Sequence, residues 1–413
     1  MTIENQLARR LGPGLLTLYG VGTTIGAGIY VLIGEVALRA GAWTPLSFLL
    51  AAVLAGLTAL SFTELSARMP KSAGEALFVR EAFGSDRLSL LVGLMVATAG
   101  VISAASVVVG GVGYLRTLID VPAAPAIVAL CLVLGGLAMW GIAESTLAAA
   151  VLTVVEIGGL GLVIFTGTTT EGQGGLPLAD ILVPEAPFPV AGVFAGAVLA
   201  FYAFIGFEDI VNVAEEVVDP ARTMPRAIVA TLVIAGSLYL VVSVVALMAL
   251  PMVELAGAEA PLALVYAAGG GDPRIMGAIA VLATVNGVLV QMVMASRVLF
   301  GLSRQGSLPA YLGADLFRKV NPVTHTPVAA TAVVVGVILL LALLFPIATL
   351  AGTTSMVTLA VFALCNLSLW RLKHRGPPPS AAPNLPVWLP VVGAVVSVAV
   401  LAVEVARRVS LLL

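Results

Sequence analysis

The first long hydrophobic segment of the chain contains a glycine-rich interruption. Four glycines fall within nine residues of the run Gly20-Val-Gly-Thr-Thr-Ile-Gly-Ala-Gly-Ile-Tyr30. Glycine weakens a helix by roughly 1 kcal/mol per residue relative to alanine, and an unpaired backbone group is costly in hydrocarbon. A helix that opens within a membrane therefore has to line a cavity, which is typical of a transporter's substrate site. Gly22 and Gly26 taken alone also fit a helix-packing motif.

The composition places this segment in a membrane. The chain is 60% hydrophobic and 10% charged, with a mean hydropathy of +1.12, which leaves no soluble domain of any size. Because about 20 apolar residues span a bilayer, the sequence predicts about eleven transmembrane helices. These predicted spans cover residues 13–38, 43–67, 86–114, 123–142, 146–168, 190–217, 226–250, 275–303, 327–345, 348–370 and 386–406.

The basic residues predict how these helices are oriented. Lysine and arginine collect in cytoplasmic loops, and a cytoplasmic N-terminus puts most of them there, among them Arg68, Lys71 and Arg80. The loop 169–189 then lies outside and has acidic residues but no basic ones. The polar first ten residues lack a cleavable signal pattern. We therefore expect a multi-pass protein of the cell membrane in contact with lipid.

Residues suited to catalysis or metal binding are sparse. Cys131 and Cys365 lie singly in predicted helices, where a buried cysteine acts as a small hydrophobe. His325 and His374 lie in loops without a catalytic partner. The sequence contains no nucleophile elbow or phosphate-binding loop. It therefore predicts no enzyme, cofactor, metal or nucleic-acid partner, and its charged residues are too few to line a channel.

The sixth predicted helix has an interruption that matches the first. Gly206 is followed by Glu208 and Asp209 inside an otherwise apolar segment. Helices one and six each open a run of five spans, and an odd number of helices per half inserts the second half upside down. Paired broken helices in inverted halves indicate a transporter's binding site.

Several stretches of the chain resemble the amino acid–polyamine–organocation (APC) superfamily. The run from Gly20 to Ile29 is similar to the first-helix motif of that family. The sixth helix, the end of the eighth helix and the loops after them are also similar. The matching residues are Phe204-Ile-Gly-Phe-Glu208, Ala214-Glu-Glu216, Asp219-Pro220, Pro225-Arg-Ala-Ile228, Ser296-Arg297, Ser303-Arg-Gln-Gly-Ser-Leu-Pro309 and Thr326-Pro327.

The resemblance implies an amino acid permease with a known architecture. We expect an all-α, five-plus-five inverted-repeat fold in which helices one and six are discontinuous. A single transporter domain, 1–412, would contain a first repeat at 13–168 and a second at 190–370. The family usually has twelve spans, whereas this chain has one extra helix, 386–406, after its ten-helix core.

An amino acid has two charged ends, and each interruption suits one of them. Free N–H groups and the positive dipole end where helix one restarts near Gly26 would hold the carboxylate. Carbonyls near residues 203–205, where the outer half of helix six ends, would hold the ammonium group. The resemblance makes Tyr202 the aromatic gate. The predicted substrate-binding residues are Val21, Thr24, Ile25, Gly26, Ala27, Gly28, Ser103, Tyr202, Ala203, Phe204, Ile205 and Asn286.

Two carboxylates are candidates for ion coupling. Glu208 follows the break in helix six, where the family often has an acid that gates, braces the backbone or carries a proton. Glu156 lies in the middle of the fifth span, where ionisable residues are usually functional. In some proton-coupled relatives a lysine occupies this place, so the charge is reversed here. Glu156 could be protonated, could attract a cation with Thr284 and Asn286, or could simply bond to a neighbouring helix.

The substrate and driving ion are less constrained than the fold. Small residues at Ser103 and Ser106 leave room for a side chain, and we expect neutral amino acids with proton coupling. Cationic amino acids or polyamines, sodium coupling, exchange, and a non-transporting amino acid sensor are the alternatives. The sequence does not predict the oligomeric state.

Overall fold

The computed structural model describes most of the chain. The described residues are 9, 11–71, 74–140, 146–170, 174–185, 187–304, 314–324, 326–379 and 382–410. Outside them lie nearly all of the polar start, Glu171 of the acidic loop, His325, and residues 305–309 of the motif that begins at Ser303.

Within these ranges the protein is all-α, as predicted. The extended pairing among the described residues is a single bridge between Leu11 and Val217. A 3-10 helix, Phe207–Glu216, follows α8. The α-helices in chain order are α1 (Pro13–Ala40), α2 (Thr44–Arg68), α3 (Gly74–Phe83), α4 (Asp86–Leu115), α5 (Ala123–Trp140), α6 (Thr146–Gly167), α7 (Leu178–Leu182), α8 (Val190–Tyr202), α9 (Pro220–Ala249), α10 (Met252–Gly257), α11 (Pro261–Ala268), α12 (Pro273–Arg304), α13 (Ala314–Phe317), α14 (Val328–Leu344), α15 (Ile347–Lys373) and α16 (Trp388–Ser410).

Nine stretches of the described chain are long and apolar enough to cross a membrane. The first, Gly28–Arg68, takes in the second part of α1 and all of α2, and therefore two predicted spans. The apolar helix α14 is shorter, at 17 residues. With these included, every predicted span has a helical counterpart. The division into repeats at 13–168 and 190–370 remains a prediction.

Helix α1 breaks at Gly26, inside the predicted glycine run. Its dihedral angles, φ −8° and ψ −166°, are not helical, whereas the residues on either side are. Gly22 has a different role, because a Cβ there would lie 1.9 Å from the Thr153 hydroxyl of α6. Gly22 therefore permits close helix packing, as the packing motif predicts, whereas Gly26 marks a break in the helix.

The second broken helix interrupts at Gly206. Helix α8 ends at Tyr202, and the chain passes through a turn before the 3-10 helix begins. Gly206 adopts φ 128°, a left-handed conformation that favours glycine. A Cβ on Gly206 would lie 2.3 Å from the backbone oxygen of Thr23. The two interruptions therefore meet backbone to backbone.

A buried ion cluster anchors the segment that leads to α16. Glu64 is fully buried and pairs with Arg68 and with Lys373 of α15, each at 2.7 Å. Its second oxygen also accepts a hydrogen bond from the Leu385 backbone N–H at 2.9 Å. These contacts join α2, α15 and the linker before α16, so both basic partners near Glu64 are already occupied.

We expect Gly206→Ala to destabilise the protein. A side chain at φ 128° is strained by roughly 1–3 kcal/mol, and its Cβ would overlap the backbone of α1, which has no rotamer to relax. Thermal unfolding and size-exclusion profiles in detergent measure the loss. Gly136→Ala is the matched control, because a Cβ there meets nothing within 4 Å. Equal stability of the two variants would show that the two breaks do not depend on this close approach.

Candidate functional site

The two interruptions lie against each other near the middle of the fold. The Thr23 hydroxyl of α1 donates a hydrogen bond to the Gly206 carbonyl at 2.9 Å. From α9, the Tyr239 hydroxyl lies 2.8 Å from the Thr24 carbonyl and 2.9 Å from the Ala203 carbonyl. One hydroxyl thus serves carbonyls of both broken helices. This arrangement satisfies backbone groups that the breaks release, as a membrane interior requires.

The space in front of the α1 break is open. A Cβ built on Gly26 would meet nothing within 4 Å. A helix that restarts there presents backbone N–H groups without intrahelical partners, together with the positive end of its dipole. Two residues later, a Cβ on Gly28 would lie 3.0 Å from the Ala203 Cα. Gly26 is therefore unobstructed on its Cβ side, whereas Gly28 packs closely against Ala203.

Tyr202 lies at the end of α8 and is 5% exposed. Its hydroxyl is 3.0 Å from the Ser103 hydroxyl of α4 and donates to the Ser103 carbonyl at 3.1 Å. On its other side, the space bordered by Gly28, Val31 and Ile347 has no volume for a water molecule. Tyr202, the predicted gate, therefore contacts Ser103, a predicted substrate residue, and the space on the other side of Tyr202 is closed to water.

Other predicted substrate residues contribute backbone rather than side chains. The side chains of Val21, Ile25 and Phe204 are almost fully buried, and the Phe204 ring packs edge-on against Tyr239 at 5.0 Å. The Thr24 hydroxyl bonds to the Gly20 carbonyl at 2.7 Å. Of Ala27 the structure describes the backbone only. Ile205 borders a cavity together with Ser103.

Glu156 is completely buried on α6. Neither carboxyl oxygen has a hydrogen-bond partner within 3.5 Å among the described residues. Asn286 of α12 is close enough to influence the carboxyl without forming such a bond. The Tyr30 hydroxyl donates instead to the Glu156 backbone carbonyl at 2.7 Å. An ionisable group buried this way is rarely only structural.

Thr284 and Asn286 of α12 have different neighbours. The Thr284 hydroxyl bonds to the Ala280 carbonyl at 2.8 Å, and its side chain fills the space over Gly111 of α4. Asn286 is half-buried and is the member of this pair that lies near the Glu156 carboxyl. No set of three or more His, Cys, Asp or Glu in the described chain could hold a metal ion.

Glu208 points back to its own break. Its Oε2 accepts a hydrogen bond from the Gly206 N–H at 2.9 Å, which braces the unwound backbone. Glu208 also lines a cavity of about 30 Å³ together with Asp209 and Glu75 of α3. The cavity extends along α4 to Ser103 and along the turn to Ile205, so it adjoins the predicted substrate residues.

Sequence reasoning did not single out two residues that matter here. Tyr239 lies within an ordinary apolar helix, and only the packing of α9 against α1 shows that its hydroxyl reaches both breaks. Glu75 lies between Arg68 and Arg80, in a charged segment that the sequence places in a cytoplasmic loop, yet it is 6% exposed. The signal available in the sequence was the amphipathic pattern of the segment in which Glu75 follows Gly74.

Known proteins that are similar to this chain are amino acid permeases and related transporters. The family model for amino acid permeases matches residues 14–407. A vacuolar cationic amino acid transporter of Arabidopsis thaliana is 31% identical over 92% of this chain and 62% of its own length. In Bacillus subtilis, a branched-chain amino acid permease is 29% identical over 91% of this chain and 83% of its own length. A methylthioribose transporter of the same species is 30% identical over 94% and 86%.

The chain thus spans less than two thirds of the length of the plant relative. It nevertheless matches the family model over nearly all of its own residues, and the relatives named above are transporters rather than enzymes. The paired breaks and this match lead to one conclusion. The chain belongs to the amino acid permease family of the APC superfamily.

Proposed function

We propose that this protein is a secondary active transporter that moves amino acids across the cell membrane by alternating access. Its N-terminus would lie in the cytoplasm, where most basic loop residues also fall. The observation that carries the proposal is the pairing of the two breaks, at Gly26 and Gly206, through Thr23 and Tyr239. In this proposal, free N–H groups at the restart of α1 hold the carboxylate of an amino acid, and carbonyls where α8 ends hold its ammonium group.

The site favours a neutral side chain. Next to Ser103, the cavity is lined by Val96, Ala99, Ile205 and Phe362, an apolar surface that would contact an aliphatic side chain once the walls move apart to admit it. The relative named as a branched-chain amino acid permease is consistent with that chemistry. Cationic amino acids are the second candidate, because Glu208 and its acidic neighbours line the far end of the cavity and one relative is named for cationic substrates.

Glu156 is our candidate for proton coupling. A carboxyl that is fully buried without a hydrogen-bond partner is costly to hold in its charged form. It lies on α6, which packs directly on α1 at Gly22, so a change in its charge would act on the broken helix. Sodium in place of a proton is the alternative.

We expect leucine to accumulate in proteoliposomes when an alkaline interior is imposed. Uptake should saturate, be competed by unlabelled leucine, and disappear with a protonophore, because the gradient supplies the work. Lysine uptake, measured in parallel, ranks the two substrate classes. Uptake that depends on a sodium gradient would show that sodium, not a proton, is the coupling ion. Saturable binding of leucine without any flux would show that the protein is a sensor and not a transporter.

The variant Glu156→Gln should lose gradient-driven accumulation while retaining leucine exchange between equal pools. The amide preserves the shape of the side chain but removes its titratable proton. Comparing accumulation and counterflow in the same vesicles separates coupling from binding. Glu254→Gln serves as the control, because Glu254 is an exposed glutamate on α10. If Glu156→Gln accumulates leucine with full dependence on the pH gradient, Glu156 is not the coupling group.

A further inference from the structure

Three carboxyl groups line the cavity near Glu208, and two of them, those of Glu75 and Glu208, have no ion-pair partner among the described residues. Glu75 of α3 is 6% exposed and Glu208 is 9% exposed, and both face the cavity. No described basic side chain forms an ion pair with either one. On α2 and α15, the basic residues Arg68 and Lys373 are paired with Glu64. Buried carboxylates in this setting require a compensating positive charge.

An independent observation indicates that the cavity binds something. Thr358 of α15 is 5% exposed and lines the cavity, yet no hydrogen bond joins its hydroxyl to a described residue. Threonines elsewhere on this helix, such as Thr354, bond back to the preceding turn. A buried hydroxyl that forgoes that bond is available to a water molecule or an acid in the cavity.

The size of the cavity selects the occupant. A volume of about 30 Å³ holds about two water molecules. A proton on a carboxyl and the water beside it fit this space, whereas the end of a long cationic side chain would require the walls to move. The charge and the volume together favour a proton.

We propose that Glu75 and Glu208, with the Thr358 hydroxyl, form a proton-binding cavity that closes the cytoplasmic end of the substrate site. It deepens the proposed function, on which it rests, by adding a proton acceptor distinct from Glu156. With the proton bound, α3 packs against the 3-10 helix and α15. Loss of the proton leaves neighbouring carboxylates in mutual repulsion and loosens α3, which opens the path from Ser103.

The groups around Glu75 support titration in the physiological range. Burial raises the pKa of Glu75 to about 7, with its own backbone N–H opposing the shift and Asp209 adding to it. The 3-10 helix presents Glu208 and Asp209, and α15 presents Cys365. At the far end of α3, Arg80 pairs with Asp86 at the start of α4. On α2, the charge of Glu64 is already paired with that of Arg68.

The sign of the pH dependence follows from the raised pKa. A carboxyl with a higher pKa in the folded state stabilises the protein at low pH, and this contribution is lost as pH rises through about 7. We therefore expect the melting temperature of the purified wild-type protein to fall between about pH 4.5 and about pH 7, and to change little from there to about pH 8.5. Glu75→Gln should flatten that fall and melt a few degrees above wild type at the higher pH.

Two further variants keep this test specific. Glu81→Gln on the exposed face of α3 should retain the wild-type profile. Asp209→Asn should move the midpoint to lower pH, because Asp209 raises the pKa of Glu75. A Glu75→Gln profile identical to wild type would overturn the proposal. L-lysine and leucine are also added to the wild-type protein and to Glu75→Gln at high pH. If L-lysine alone restores the melting temperature, and only in the wild-type protein, the cavity binds an organic cation and the proposal is overturned. The melting experiment does not measure transport. If leucine uptake fails in proteoliposomes, the melting profiles therefore still test the proton-binding cavity.

Discussion

The need to satisfy backbone hydrogen bonds in a membrane governs this structure. Two helices open at Gly26 and Gly206, and each opening releases carbonyl and N–H groups that hydrocarbon cannot solvate. Thr23 and Tyr239 bond three of the carbonyls, and Glu208 accepts the Gly206 N–H. In our proposal, the N–H groups where α1 restarts bind the substrate, so the same constraint that makes a break costly makes it a binding site.

The buried carboxyls extend this logic to protons. Glu156 lies beside α1 with no hydrogen-bond partner in the described chain, while Glu75 and Glu208 border a small cavity beside the second break. Each can be held cheaply only when it is neutral or paired. In our proposal, protons therefore bind on both sides of the site. Glu156 acts through the contact between α6 and α1, and Glu75 acts through the contact between α3 and the 3-10 helix.

Much of the fold was predictable because hydropathy and glycine act locally. The eleven spans, the break at Gly26 and the break at Gly206 follow from runs of apolar residues and from backbone freedom, which need no tertiary information. Tyr239 and Glu75 were not predictable, because their importance depends on which helix they face. A tyrosine in an apolar helix and a glutamate in a charged loop each have common structural explanations, and only packing distinguishes them.

Competition for leucine binding tests the central claim most directly. Labelled leucine bound to the purified protein would be displaced by leucine, by leucinamide, which lacks the carboxylate, and by isocaproate, which lacks the ammonium group. Charged hydrogen bonds of about 1.5–3 kcal/mol at each end predict that both analogues compete roughly tenfold or more weakly than leucine. Competition by leucinamide equal to that of leucine would contradict a carboxylate site at the restart of α1.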